Sequence, residues 1–180
     1  MNKKEVNDCF DLAIKEEQKG KKHKGLLVVS PDLKKAKEYL AKAKKNIEIC
    51  ELFKEKGYDY KIPEEWFYTL YYCALAILSK FGVETRSQKC TAAFLKYVKE
   101  KGLIDYDDEF IDRITVYKDK SEISDVDNRE NSRYSSSIKI EEVGQKYDYM
   151  NELCKKAISE CEEIIFSEKE LKIPEELLGI

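Results

Sequence analysis

The chain has 180 residues, a net charge of −3, 38% charged residues, and only seven Gly and three Pro. That length suits one domain with a sizeable core, and the shortage of turn formers favours long helices. The overall charge excludes a globally basic protein, and a single histidine with no Cys-x-x-Cys spacing excludes a structural zinc site, which needs four clustered ligands.

The N-terminus, MNKKEVNDCF, has no apolar signal core. Val6, Cys9, Phe10, Ala13 and Ile14 recur at helical spacing and predict a short amphipathic helix ending near Gly20. Lys19 to Lys45 then holds ten lysines against Asp32 and Glu38, a local excess that raises the odds of an anionic partner. Ser30 or Asp32, with Pro31, marks the start of a second helix. Its seam, Leu33, Ala36, Leu40, Ala43, Ile47 and Cys50, calls for a close helical neighbour, and Gly57 closes it.

Ile62-Pro63-Glu64-Glu65 opens a third helix that is apolar or aromatic on nearly every side from Trp66 to Phe81. Such a helix must be covered on all sides, and it is too short and too rich in tyrosine to span a bilayer. Gly82 stops it. Cys90, Ala93, Phe94, Tyr97 and Val98 mark the next helix, which ends at Gly102. Phe110, Ile111, Ile114 and Tyr117 predict a shorter piece. Residues 119–142 are polar and contain SRYSSS, which reads as a mobile loop in which Ile138 and Ile140 could dock locally. Met150, Leu153, Cys154, Ala157, Ile158, Cys161, Ile164 and Ile165 predict a long last helix, and Pro174 ends any helix beyond it. Each of the six cysteines, at 9, 50, 73, 90, 154 and 161, falls on or beside an apolar stripe, where a free thiol acts as a small hydrophobe. A reducing, cytoplasmic setting is therefore expected.

A basic amphipathic helix, the aromatic helix WFYTLYYCALAILSKFGVE, the turn TRSQKCTAAF and a closing amphipathic helix follow one another in the order of the HEPN family. The chain resembles these small α-helical proteins of bacteria and archaea, and is most similar to an archaeal branch with a GxxSRxQxCTxA-like turn. HKGLLVVSPDLKKAKEYLAKAKKNIE also resembles the opening of that branch. The resemblance runs from about His23 to Phe166. It implies an all-α, up-and-down helical bundle of four to five core helices plus a short N-terminal helix. One domain is expected over 1–180, with the N-terminal helix and basic loop in 1–29, the bundle in 30–168 and a tail in 169–180. It further implies a homodimer, joined here through the aromatic helices. Many members are metal-independent ribonucleases; others accompany a minimal nucleotidyltransferase.

Active members place an Arg about four to six residues before a His on a late helix, because cleavage without a metal needs a proton carrier near neutral pH and a cation at the phosphate. This chain departs from that pattern. Its single histidine, His23, precedes the core and reads as a surface or capping residue with no identifiable orienting carboxylate. Arg86 is followed by Ser87 and Gln88. Arg113 has Lys118 and Asp119 in the window. Arg129 is followed by Glu130, Asn131, Ser132, Arg133 and Tyr134. No catalytic role carries over by resemblance; were the protein a ribonuclease, Arg129, Arg133 and Tyr134 would be its candidates.

The expected function is therefore a binding module for RNA or for a nucleotidyltransferase partner, with no metal, cofactor or membrane. The rivals are a ribonuclease with non-standard residues and a purely structural dimer. Lys21, Lys22, Lys24, Lys34 and Lys37 are the expected nucleic-acid contacts, against a solvated helix face. Arg86, Ser87 and Gln88 are a partner or ligand turn, against a turn capped through Thr85 or Ser87. Arg133 and Tyr134 could stack a base or form a loop tip. Tyr68, Tyr71 and Tyr72 read as core and interface residues rather than a base-stacking platform.

Overall fold

A computed structural model describes residues 3–115, 129–130 and 140–178. Among the described residues the main elements follow in order: α1 (Lys3–Gln18), β1 (Leu26–Val28), α2 (Leu33–Glu55), α3 (Ile62–Phe81), β2 (Val83–Thr85), α4 (Gln88–Glu100), α5 (Asp108–Arg113) and α6 (Ile140–Phe166). The architecture is an all-α helical bundle, as the periodicities require. Local chemistry sets the boundaries. Asp32 caps α2 by accepting from the Lys35 N–H at 2.8 Å, and Ser87 caps α4 by accepting from the Cys90 N–H at 3.2 Å. Gly82, at φ 76°, ends α3 in the left-handed region that glycine enters without penalty.

α3 is the axis of the bundle, and none of its residues is fully exposed. α2 runs antiparallel beside it: Tyr39 stacks on Tyr72 and the Asp32 N–H donates to the Ser79 carbonyl. α6 runs parallel to α3. The Trp66 indole N–H donates to Asn151 at 2.8 Å, the Cys161 thiol to the Cys73 carbonyl at 3.6 Å, and the Lys80 ammonium to the Ile164 carbonyl at the far end. All eight α6 residues expected inside are buried, as are Ala36, Leu40, Ala43, Ile47 and Cys50 of α2. Leu33, in the first turn, and Ile14 of α1 are exposed instead. Among the described residues no helix is long and apolar enough to cross a membrane.

Three features depart from the sequence reading. Leu26–Val28 and Val83–Thr85 pair as an antiparallel ribbon, Leu26 opposite Thr85 and Val28 opposite Val83. Next, Cys9 and Cys90 are not free thiols. They form a disulfide between α1 and α4 with Cα atoms 5.8 Å apart, while Cys50, Cys73, Cys154 and Cys161 are free and buried. Eighty-one positions separate the pair in sequence, so no local spacing could signal it. Packing of α1 on α4, with Phe10 edge-on to Phe94, creates it. Gly25 belongs to the same junction, since a Cβ there would lie 2.0 Å from the Cys9 carbonyl oxygen. Finally, the tail is docked. Leu171 and Leu177 are buried, and Glu176 accepts from the Tyr97 hydroxyl at 2.9 Å and pairs with Lys101 at 2.7 Å. The Lys101 hydrogen bond, before a backbone N–H and Tyr97, holds the Glu176 carboxyl down to about 2.

Candidate nucleic-acid interface

The expected lysines share one property: they are unpaired. Lys21, Lys22 and Lys24 lie on the loop between α1 and β1, and Lys34 and Lys37 on the first two turns of α2. All five are exposed. Among the described residues, none has a carboxylate partner. Many other lysines are engaged. Lys44 pairs with Glu162, Lys99 with Asp108 at 2.6 Å, Lys101 with Glu176 at 2.7 Å and Lys156 with Asp107 at 2.6 Å. An ammonium without a protein partner keeps its full capacity for an external anion. Lys34 and Lys37 also line, with Leu33, Glu38 and Ala41, a shallow cleft of about 430 Å³. Lys37 sits 5.2 Å over the exposed Phe166 ring.

His23 corrects its sequence reading. It is buried, at 4% exposure, and its Nε2 lies 3.0 Å from Glu84 Oε1 on β2. The orienting carboxylate exists; it was hidden because it stands 61 positions away. Arg86 Nε is 3.4 Å from the same oxygen, and Lys35 Nζ is 4.0 Å from the other. The His23 hydrogen bond leads these influences in holding the Glu84 carboxyl below the usual carboxylate range. An ionised Glu84 can only accept, so Nε2 carries the proton; Nδ1 is buried without a partner among the described residues. This cluster fastens the basic loop to the β-ribbon. The Arg86 N–H also donates to the Gly25 carbonyl at 3.3 Å, and Ser87 is the α4 cap. The Arg86-Ser87-Gln88 turn thus has structural work in holding the arm. Gln88 is half-buried at the head of α4.

Of the enzyme candidates, only Arg129 falls among the described residues. Arg129 lies with its guanidinium 4.7 Å from the Phe67 ring centroid and 6.0 Å from that of Tyr68, and 3.5 Å from Glu130. Its side chain is 14% exposed. Arg133 and Tyr134 lie outside the described residues, as do Tyr117 and Ile138. His23 holds the opposite end of α3, at the β-ribbon that follows Gly82. Among the described residues no cluster of three or more His, Cys, Asp or Glu side chains is arranged to hold a metal ion.

One further surface emerges only in the folded chain. Tyr68, Tyr71, Tyr72 and Leu75 form a half-buried stripe along α3. Tyr72 stacks between Tyr39 of α2 (6.1 Å, 19°) and Tyr68 (5.9 Å, 28°). Burial, then the neighbouring Tyr68 and Glu65, pushes the Tyr72 phenol above its ordinary value. Burial also raises Tyr71, against a hydrogen bond with Thr91. The i, i+3, i+4, i+7 spacing of these residues was legible; the arrival of Tyr39 beside them was not. In comparisons with known proteins, no family model, curated protein or solved structure matches the chain.

Proposed function

We propose that this chain is a HEPN-like binding module that engages nucleic acid through its basic arm and does not use the Arg–His ribonuclease mechanism. One observation carries the reading: Lys21, Lys22 and Lys24 of the arm and Lys34 and Lys37 of α2 are exposed and have no carboxylate partner among the described residues, while the lysines of α4 and α6 are largely spent on intramolecular carboxylates. The basic arm is also held in place rather than trailing free. The Cys9–Cys90 bond, the Gly25 crossing and the His23–Glu84 hydrogen bond fix the residues on either side of it. A fixed arm presents charge at lower entropic cost than a loose one. A second copy is not needed to cover α3, because α2, α4 and α6 enclose most of it.

The cytoplasmic setting stays part of the proposal. A standing Cys9–Cys90 bond is uncommon there, so counting reactive thiols in protein purified under non-reducing conditions bears on it directly.

The test is binding of a labelled RNA across a salt series. Counterion release makes log affinity fall linearly with log salt, with a slope set by the number of phosphates neutralised. Replacing Lys21, Lys22 and Lys24 with Glu flattens that slope and weakens binding at low salt. Equal affinity and slope in the variant and the wild type would make these lysines a solvated face and overturn the proposal.

A further inference from the structure

We infer that the ladder Tyr39–Tyr72–Tyr68 is a stacking track for the unpaired bases of a single-stranded nucleic acid. The inference rests on the proposed function and names the form of its ligand. The three rings come from two helices, yet lie nearly parallel at centroid separations of 6.1 and 5.9 Å. Such separations are those of offset rings, whose faces are only partly covered by one another. All three residues are half-buried, so the rings are held by the bundle with one side toward solvent. Within the described residues their hydroxyls make no hydrogen bond. Partly exposed rings whose hydroxyls have no hydrogen-bond partner among the described residues suit a flat base with hydrogen-bonding edges. They suit an aliphatic helix less well.

The charge beside the ladder selects the occupant. The Lys42 ammonium lies 5.7 Å from the Tyr39 centroid and 5.6 Å from that of Tyr72. Lys42 is exposed and has no carboxylate partner among the described residues, so its head group can pass from the rings to a phosphate. Arg129 stands at the other end, 6.0 Å from the Tyr68 centroid, but it is largely buried and lies 3.5 Å from Glu130, so Lys42 is the cation open to a phosphate. Alternating cations and aromatic faces are the elements of single-strand binding without sequence preference. Glu65 is the carboxylate that acts on Tyr72; its own carboxyl is raised, first by burial and then by Glu64. Lys42 is five residues from Lys37, about 140° around the helix. The ladder therefore occupies the flank of α2 opposite the Phe166 side, and a strand reaching it from the basic arm passes along α2.

The experiment titrates a fluorescein-labelled oligouridine, and separately its duplex with oligoadenine, into the full chain. Stacking one base on an aromatic side chain is worth roughly 1–3 kcal/mol. Tyr39→Ala and Tyr72→Ala are each expected to weaken oligouridine binding by about tenfold, with the salt slope and the duplex affinity unchanged. Tyr72→Phe keeps the ring and is expected to bind like the wild type, which separates stacking from misfolding. Wild-type oligouridine affinity in both alanine variants, with binding still sensitive to the Lys21, Lys22 and Lys24 replacements, overturns the ladder and leaves the proposed function standing. Absence of binding to either probe by the wild type overturns both. Loss of a dimer in Tyr72→Ala, seen by sedimentation, with RNA affinity intact, assigns the ladder to a second copy and also overturns it.

Discussion

The two faces of α3 carry nearly the same kinds of residue and do opposite work. Toward α6 the helix presents Trp66, Leu70, Cys73 and Ile77, all buried, and its polar atoms are matched across the interface by Asn151 and by thiol-to-carbonyl contacts. On the other side it presents Tyr68, Tyr71, Tyr72 and Leu75, all half-buried, with an arginine and a lysine lying over tyrosine rings. Sequence hydropathy scores both faces as apolar. What separates them is whether the neighbouring helix completes the contact or leaves a ring face open. The first condition stabilises the fold, and the second makes a surface that a ligand can use.

The largest expected effect tests the closed side of that contrast. Leu70 is fully buried on the α6 side, and Leu70→Ala should cost about 2–5 kcal/mol of stability through lost burial and the cavity left behind. Tyr72→Ala, on the open side, should cost about 1 kcal/mol. Urea denaturation of the two variants checks this, and equal losses would erase the distinction between the faces.

Next in size is the disulfide, which distinguishes the N-terminal unit from the bundle. Closing a loop of 81 positions restricts the unfolded chain enough to stabilise the oxidised protein by roughly 2–4 kcal/mol. Reduction, or Cys9→Ser with Cys90→Ser, should lower the thermal midpoint accordingly. It should also raise amide exchange in α1 and the basic arm more than in α6. Uniform exchange changes along the chain would show that the arm is not fixed by this junction.

The smallest effect is one of pH. Glu84, Asp107, Glu109 and Glu176 are all held below their ordinary values. A carboxyl lowered in the folded state contributes stability that is fully present above its unfolded value and is lost as pH falls through the folded one. The loss should therefore begin as pH falls into the ordinary carboxylate range. For Glu176 it is complete only below its folded value of about 2. Glu84→Gln should make the protein less stable at neutral pH but less sensitive to acid, as followed by urea midpoints. An unchanged acid dependence would detach Glu84 from the arm's anchoring.

Much of the scaffold is legible in the sequence because periodicity reports burial along one helix. The Ala36 to Cys50 seam and the Met150 to Ile165 stripe are read residue by residue. What periodicity cannot report is which distant residues meet. Cys9 and Cys90, His23 and Glu84, and Tyr39 and Tyr72 are each brought together by packing between elements, and none of these pairs has a local signature. The ribbon leaves no sequence signal because each strand spans three residues, too few for an alternating pattern. The lysine excess was legible as composition. Its meaning was not, since only the folded chain shows which lysines have carboxylate partners.

Hydroxyl-radical footprinting of the side chains, with and without bound oligouridine, tests the central contrast most directly. The account predicts protection of Tyr39 and Tyr72 on the open face of the α2–α3 pair, and unchanged reactivity at the exposed Tyr149 of α6. Protection of Tyr149 with Tyr39 and Tyr72 unchanged would contradict it.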